Sequence, residues 1–340
     1  MNGPGSYYYF DRYVNTMKTP EKIGISSFFV PTNAYVNNNK LVINIKYTNE
    51  AFWEVLQYQF IEGKPYTQQQ IESGEFVAVI SEDTRNEYFG TGSAAVGKYI
   101  ETDNVKYRVT GVVKAVPVTM IASYADIFVP YTVSKTDYRL RSLSGNYMAV
   151  LLGKSKSDLS KIKAEYDGIV SRVKPDQDGF DLFESKADRY LESFIRSSPL
   201  GSGSDSGLSK FIMIILVFIL IFMLLPTLNL VNINVSRIME RSSEIGVRKA
   251  FGASSGTLVG QFITENLILT FFGAVIGVIL AFIILQLINH LDLIANIHLT
   301  INGKVLFYSF LACLFFGLLS GVYPAWRMSR LQVVQALKTQ

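Results

Sequence analysis

The hydrophobic pattern of the chain changes character near residue 210. Before that point, apolar residues come in short bursts broken by Gly, Pro, Asn and Asp. After it, they run almost without interruption through Phe211–Val231, Leu267–Ile288 and Val305–Val322. About 20 consecutive apolar residues make a helix long enough to cross the hydrocarbon core of a bilayer. The runs predict three membrane helices, at about 211–233, 265–289 and 305–323. A buried helix of a soluble protein can imitate one such run, but not three between residues 211 and 340.

The first half follows a different rhythm. Phe76–Ile80 is an apolar run of strand length, and Ser81 is placed to cap a short helix ending at Gly90. Tyr99, the turn pair Asp103-Asn104 and the run Tyr107–Val113 predict a β-hairpin, stopped by Pro117. "YADIFVPYTV" reads as a further strand. Ser157–Val173 has helical spacing, with Leu159, Ile162, Tyr166, Ile169 and Val170 on one face. Strands and helices mix without a βαβ rhythm. The expected fold is therefore an α+β domain over residues 1–200, followed by an all-α membrane domain over residues 201–340. "SSPLGSGSDSGLS", residues 197–209, is a Gly/Ser-rich link between them.

Charge decides the expected orientation. Lys and Arg concentrate in cytoplasmic loops. The segment between the first two runs carries Arg237, Arg241, Arg248 and Lys249, and the tail carries Arg327, Arg330 and Lys338. The loop between the second and third runs carries only Lys304. The charged loop and the C-terminus are thus expected inside, and residues 1–200 outside. The opening stretch "MNGPGSYYYFDRYVNTMK" has no apolar core of signal-peptide length. An upstream transmembrane segment belonging to the functional protein is expected to be missing from this chain.

Small residues recur at four-residue spacing within the runs. Gly273, Gly277 and Ala281 form one stripe, and Cys313, Gly317 and Gly321 another. Such stripes let helix backbones approach closely. Pro226 removes a backbone donor from the first run, and Asn229 and Asn232 stand near its cytoplasmic end, placed to bond a neighbouring helix or to mark the interface with water.

Other chemistry is sparse. A net charge of +4 without a basic-aromatic cluster gives no support for nucleic-acid binding. The single cysteine, Cys313, rules out a disulfide framework. His290, Asp292 and His298 share a short loop, read as polar rather than as a metal site. No catalytic triad or carboxylate pair is evident, so no catalytic, cofactor or metal residue is assigned. "GSAAVGK" matches the spacing of a phosphate-binding loop. Yet Tyr99 follows Lys98 where Ser or Thr should hold Mg²⁺, and the hairpin, not a helix, comes next.

The most informative stretch is "SRIMERSSEIGVRKAFGASSGTLVGQFITENLIL". Arg237, Glu240, Arg241, Glu244, Arg248 and Lys249 alternate in charge at spacings that support a helix. Gly252 offers its C-cap, and Ser254 or Ser255 the next N-cap. The result is either a solvated juxtamembrane loop or a docking element for a cytoplasmic partner.

Here the residues resemble a family. "ERSSEIGVRKAFGAS", "QFITENLIL" and "GAVIGVILA" resemble permease subunits of the MacB/FtsX/LolC superfamily of ABC transporters. The tail "GVYPAWRMSRLQVVQALK" resembles the family's closing pattern through Pro324, Ala325, Ala336, Leu337 and Lys338, with Val333 where the family often has Pro. "FIEGKPYT", "VAVISEDTRNEYFG", "VGKYI" and "YRVTGVV" resemble its extracytoplasmic core domain. The likeness covers residue 50 or so to the end.

The resemblance implies a multi-pass permease of the bacterial inner membrane, in which a separate or fused ABC ATPase binds ATP and Mg²⁺. It implies pairing with a second permease copy, as a homodimer or a paired heterodimer, and a membrane-fusion protein as a further partner. The coupling loop would comprise Arg237, Glu240, Arg241, Glu244, Ile245, Gly246, Arg248, Lys249 and Gly252. Gly273, Gly277, Gly317 and Gly321 would serve helix packing. Family members have four membrane helices, of which the first would be absent here. The implied work is mechanotransmission, serving export of a drug, peptide or lipoprotein. A membrane sensor or scaffold without an ATPase is the alternative, and it leaves the charged loop without a specific role.

Overall fold

The computed structural model describes residues 3–36, 39–174, 183–291 and 299–329. Asp292, His298, Arg330, Val333, Ala336, Leu337 and Lys338 lie outside the described residues. The chain forms two compact units that divide after Leu191.

The first unit opens with helix α1 (Tyr7–Arg12), followed by β1 (Lys22–Ser27), β2 (Val30–Val36) and β3 (Asn39–Thr48). Then come α2 (Ala51–Leu56), β4 (Phe60–Gly63), α3 (Gln68–Glu72), β5 (Val77–Ser81) and α4 (Glu82–Phe89). β6 (Tyr99–Thr102), β7 (Val105–Val113), β8 (Ile127–Pro130), β9 (Tyr147–Leu152) and α5 (Asp158–Val170) complete the domain, and α6 spans Tyr190–Arg196.

The nine strands among the described residues form one mixed sheet in the order β2-β6-β7-β5-β8-β3-β1-β9, with β4 on β7. Pairing of β2 with both β6 and β3 closes six of them into a ring. Closure removes sheet edges that would otherwise recruit other chains. Ala34, Ile43, Ile80, Ile100, Val109 and Ile127, one from each ring strand, fill the interior. β5 is buried along its whole length because α2 and α3 cover its other face, placing Val77 and Val79 against Phe52, Trp53 and Ile71. A third cluster joins α1 and α5 across β1 and β9, through Tyr9, Ile25 and Ile162.

Local expectations match at several points. Ser81 Oγ accepts the Thr84 amide at 3.1 Å and caps α4. Asp103 and Asn104 take positive φ values of 48° and 64°, the left-handed pair of a tight hairpin turn between β6 and β7. α5 buries Ile162, Tyr166 and Val170, three of the five residues assigned to its apolar face.

The second unit holds α7 (Leu208–Glu240), α8 (Ser242–Ala250), α9 (Ser255–His290) and α10 (Gly303–Ser329). α7, α9 and α10 are long and apolar enough to cross a membrane. α10 packs on both α9 and α7. Most of their apolar side chains point outward, Phe218, Leu225 and Phe272 among them. Such a surface is stable against lipid, where every backbone group must be satisfied within the helix itself.

Candidate functional site: the turn between α7 and α9

The charged segment departs from a single short helix. α7 runs without a break through Arg237 to Glu240, and the chain bends only at Arg241. α8 then carries Glu244 to Lys249 and stops at Gly252, whose φ is 91°. The Gly252 amide bonds the Lys249 carbonyl at 3.0 Å, and the Ala253 amide bonds the Arg248 carbonyl at 3.0 Å. This paired arrangement satisfies the last carbonyls of α8, and glycine enters its left-handed position without a Cβ penalty. Ser254 Oγ accepts the Thr257 amide at 3.1 Å and starts α9. Of the two serines proposed as caps, Ser254 serves.

A small apolar core locks the turn. Ile238 of α7, Ile245 of α8 and Leu258 of α9 are buried together, with Phe262 against them. Gly246 is buried beside Ile245. Outside this core the charges form a chain of contacts. Arg248 Nη2 meets Glu244 at 2.5 Å and its Nη1 meets Gln261 at 3.0 Å. Gln261 donates to Glu265 at 3.3 Å, and Glu265 pairs with Arg241 at 3.6 Å. The contacts link α8 to α9 and return to the bend. All four charged groups are well exposed, so each pair contributes at most about 1 kcal/mol to stability. Their geometry orients the turn more than it strengthens it. At the tip, Phe251 is 89% exposed, and Val247 is exposed one turn earlier.

A polar knot lies immediately beyond. Asn234, one turn before Ile238 on α7, donates to the Ser320 carbonyl at 3.2 Å and to Asn266 at 3.4 Å. Asn266, next to Glu265 on α9, donates to the Gly317 carbonyl at 2.6 Å. Ser320 is fully buried and donates to the same carbonyl at 2.8 Å. The closest approach needs glycine: a Cβ on Gly317 would stand 2.8 Å from Thr270 Oγ1, and one on Gly321 2.6 Å from Asn266. Among the described residues nothing lies within 4 Å of such a Cβ at Gly273 or Gly277. Asn229 and Asn232 are exposed, so the cross-helix bond falls to Asn234 instead. The three helices are thus bound together one turn away from the Ile238 core.

Two family models match the chain. The FtsX-like permease C-terminal model covers residues 216–333, which contain the turn, the knot and all but the first turns of α7. The MacB-like periplasmic core domain model covers residues 11–169. The chain belongs to the MacB/FtsX-like ABC permeases. The pyoverdine export ATP-binding/permease protein PvdT of Pseudomonas entomophila is 27% identical to this permease over 296 residues, 86% of this chain and 42% of that protein. The macrolide export ATP-binding/permease protein MacB of Pasteurella multocida is 23% identical over 292 residues, again 86% and 42% of the two chains. This permease therefore spans less than half the length of those relatives. Among solved structures, the periplasmic region of MacB from Actinobacillus actinomycetemcomitans aligns with a TM-score of 0.40 at 14% identity, covering 49% of this chain and 75% of that one.

Within this permease, Arg237 is half-buried at the end of α7 and Glu240 is exposed beside the bend. Glu244, Ile245, Gly246, Arg248 and Lys249 all fall on α8, and Gly252 closes it. Residues not singled out from the sequence complete the site: Phe251, Gln261, Glu265, Asn234, Asn266 and Ser320. Glu265 and Asn266 carried a signal, as polar residues side by side in an apolar run. The phosphate-loop spacing resolves differently. The Gly97 and Lys98 amides are bonded to the Val109 and Ala95 carbonyls, and β6 follows where a helix would be needed to face phosphates. The Lys98 ammonium lies 5.5 Å from the Phe89 ring centre.

Proposed function

We propose that this chain is the force-receiving permease of an ABC exporter, with α8 docked on a cytoplasmic ATPase that binds the ATP and Mg²⁺. One observation carries the reading. α7 is a single helix of 33 residues that begins just after the N-terminal domain and ends at the α8 bend. At 1.5 Å per residue it is about 50 Å long, well beyond the roughly 30 Å of a bilayer core. A continuous rod clamped at one end by the Ile238 core and the Asn234 knot moves as a unit when α8 is displaced. The cationic side chains Arg237, Arg241, Arg248 and Lys249 support a cytoplasmic position for α8, and hence an extracytoplasmic N-terminal domain.

In this reading two permease copies work side by side in the bilayer, and a membrane-fusion protein receives the cargo outside. PvdT and MacB carry pyoverdine and macrolide export in their names. Export of a drug, peptide or lipoprotein is the corresponding role here. ATP-driven closure would bring the two α8 elements together and alter the outer domains, without cargo crossing between the helices.

The test is a charge swap, Glu244→Lys with Arg248→Glu. The swap keeps an ion pair inside α8, and Gln261 can donate to the new carboxylate. It reverses the field that α8 presents to a partner, and misplaced charge at an interface costs several kcal/mol. The permease should fold and insert as before, while its stimulation of the co-purified ATPase falls at least tenfold. Unchanged association and stimulation would overturn the docking role.

A further inference from the structure

The N-terminal domain holds a cleft of about 310 Å³ between the β2–β3 side of the ring and the irregular segment 134–146. It lies far along the chain from the coupling turn, and nothing in the force-receiving role uses it. One wall is aromatic and preformed. The Tyr7 and Tyr131 rings stack with centres 3.9 Å apart, and Tyr138 and Tyr147 meet Tyr7 edge-on at 5.9 and 5.4 Å. Tyr47 and Tyr107 also line the cleft. Rings that brace one another lose little freedom when a ligand arrives.

The polar lining is neutral in kind. Hydroxyl and amide groups such as Thr32, Thr102, Ser134 and Asn146 outnumber the charges. The one cation among the described lining residues, Lys135, is engaged by Asp103 at 2.7 Å. Asp137 accepts the Arg139 amide of its own loop at 2.9 Å. The cleft offers an anion no uncompensated positive charge.

One group points to a missing partner. Tyr147 is 7% exposed, lines the cleft, and its hydroxyl has no hydrogen bond among the described residues. Ser134 stands near it but outside hydrogen-bonding geometry. Burial pushes the Tyr147 phenol up to about 12, so it keeps its proton at neutral pH and remains a donor. A buried donor without an acceptor costs free energy, a cost that a ligand oxygen would remove.

We propose that this cleft binds a small uncharged molecule with a ring that stacks on tyrosine and a hydroxyl-rich edge, a glycoside being the simplest such compound. The ring lies against Tyr7 or Tyr47, the Tyr147 hydroxyl donates to a ligand oxygen, and the Ser and Thr hydroxyls contact its rim. Pockets near this size, with aromatic walls and a few converging polar groups, suit compact ligands.

The test uses the full chain in lipid nanodiscs, with empty nanodiscs as the blank, and equilibrium dialysis against nitrophenyl glucoside. Nitrophenyl phosphate is the anionic counterpart. The glucoside should bind saturably, at one site per chain, and at least tenfold more tightly than the phosphate. Thr136→Trp places a large ring on an exposed lining position and should abolish the binding. Tyr147→Phe should weaken it about three- to tenfold, the worth of one hydrogen bond, while the melting temperature holds or rises because the hydroxyl has no partner to lose. Absence of saturable glucoside binding, full binding in Thr136→Trp, equal affinity for the phosphate, or a lowered melting temperature in Tyr147→Phe would overturn the assignment. Each outcome leaves the coupling role of α8 untouched, since that role is read from ATPase stimulation.

Discussion

The two units of this chain solve the same packing problem in opposite solvents. In the N-terminal domain Val79, Ile80 and Phe128 are buried and most charges face out, with Lys46 and Arg85 the buried exceptions. In the helical unit Phe218, Leu225 and Phe272 face out, while Ser320 is fully buried and Asn266 is partly buried. Burial of apolar area drives the first arrangement, since water is expelled. It cannot hold helices together in lipid, where the tails are as apolar as leucine; close backbone approach and hydrogen bonds do that instead. A phenylalanine therefore has different worth in the two units, and so has a glycine.

The largest expected effect tests the first half of that contrast. Phe128 is surrounded by Phe52, Trp53 and Tyr58, with ring centres 5.3–5.8 Å away. Phe128→Ala should cost the domain about 3–5 kcal/mol, as core aromatic truncations do. Phe218→Ala on α7 removes an exposed ring and should change stability by less than about 0.5 kcal/mol. The chain has two tryptophans, one in each unit, so Trp53 emission in a Trp326→Phe background reads the N-terminal domain for Phe128→Ala, while the helical circular-dichroism signal in detergent reads the membrane helices for Phe218→Ala. Equal losses for the two substitutions would break the contrast.

A smaller effect separates the two glycine stripes. Gly317→Ala drives a Cβ to 2.8 Å from Thr270 Oγ1 and 3.0 Å from its methyl group. Threonine is stiff at χ1, so the helices must part, at about 1–3 kcal/mol. Gly277→Ala meets nothing among the described residues, and alanine favours a helix over glycine by about 1 kcal/mol. Thermal unfolding followed by circular dichroism in detergent should show a loss for the first and none for the second. A loss at Gly277 that appears only at concentrations where copies associate would assign that stripe to a second permease.

Legibility in the sequence divided along the same line as contact range. The Ser81 cap, the Asp103-Asn104 turn and the Gly252 cap were readable because each is decided by a few neighbouring residues. The membrane runs were readable because lipid imposes length and composition. Closure of the ring through β2 and β3 was not, since it joins residues such as Ala34 and Thr102 that no local pattern connects. The choice of Asn234 over Asn229 and Asn232 depends on which face of α7 meets α10, a matter of helix phase fixed by packing. The continuity of α7 into the charged segment is not legible there, because alternating charge reads as a new element. Arg237 and Glu240 prolong a helix already begun. Phe251 carried no periodic signal, and its exposure emerges only when the turn is built.

The gentlest test compares what a buried polar group costs in the water-facing domain. Lys46 of β3 is fully buried, and its ammonium donates to the Ile121 and Ala122 carbonyls at 2.8 and 2.9 Å. Burial pulls its pKa down to about 7 from the usual 10.5. Between those values the unfolded chain binds the proton and the folded domain does not. Unfolding therefore takes up a proton, and stability rises with pH across that window. Below the folded value both states hold the proton and the contribution is flat, with the burial cost at its full size. The limiting slope for one group is about 1.4 kcal/mol per pH unit. Tyrosines such as Tyr66, whose pKa burial raises instead, oppose the trend near the usual phenol range, so the rise should show between about pH 7 and 9. Denaturant unfolding read by Trp53 should show increasing stability over that interval, and Lys46→Met should flatten it. A wild-type curve that falls over the interval, or a rise that survives in Lys46→Met, would mean that the ammonium keeps its charge inside the domain. The carbonyl oxygens alone would then be enough to hold it there.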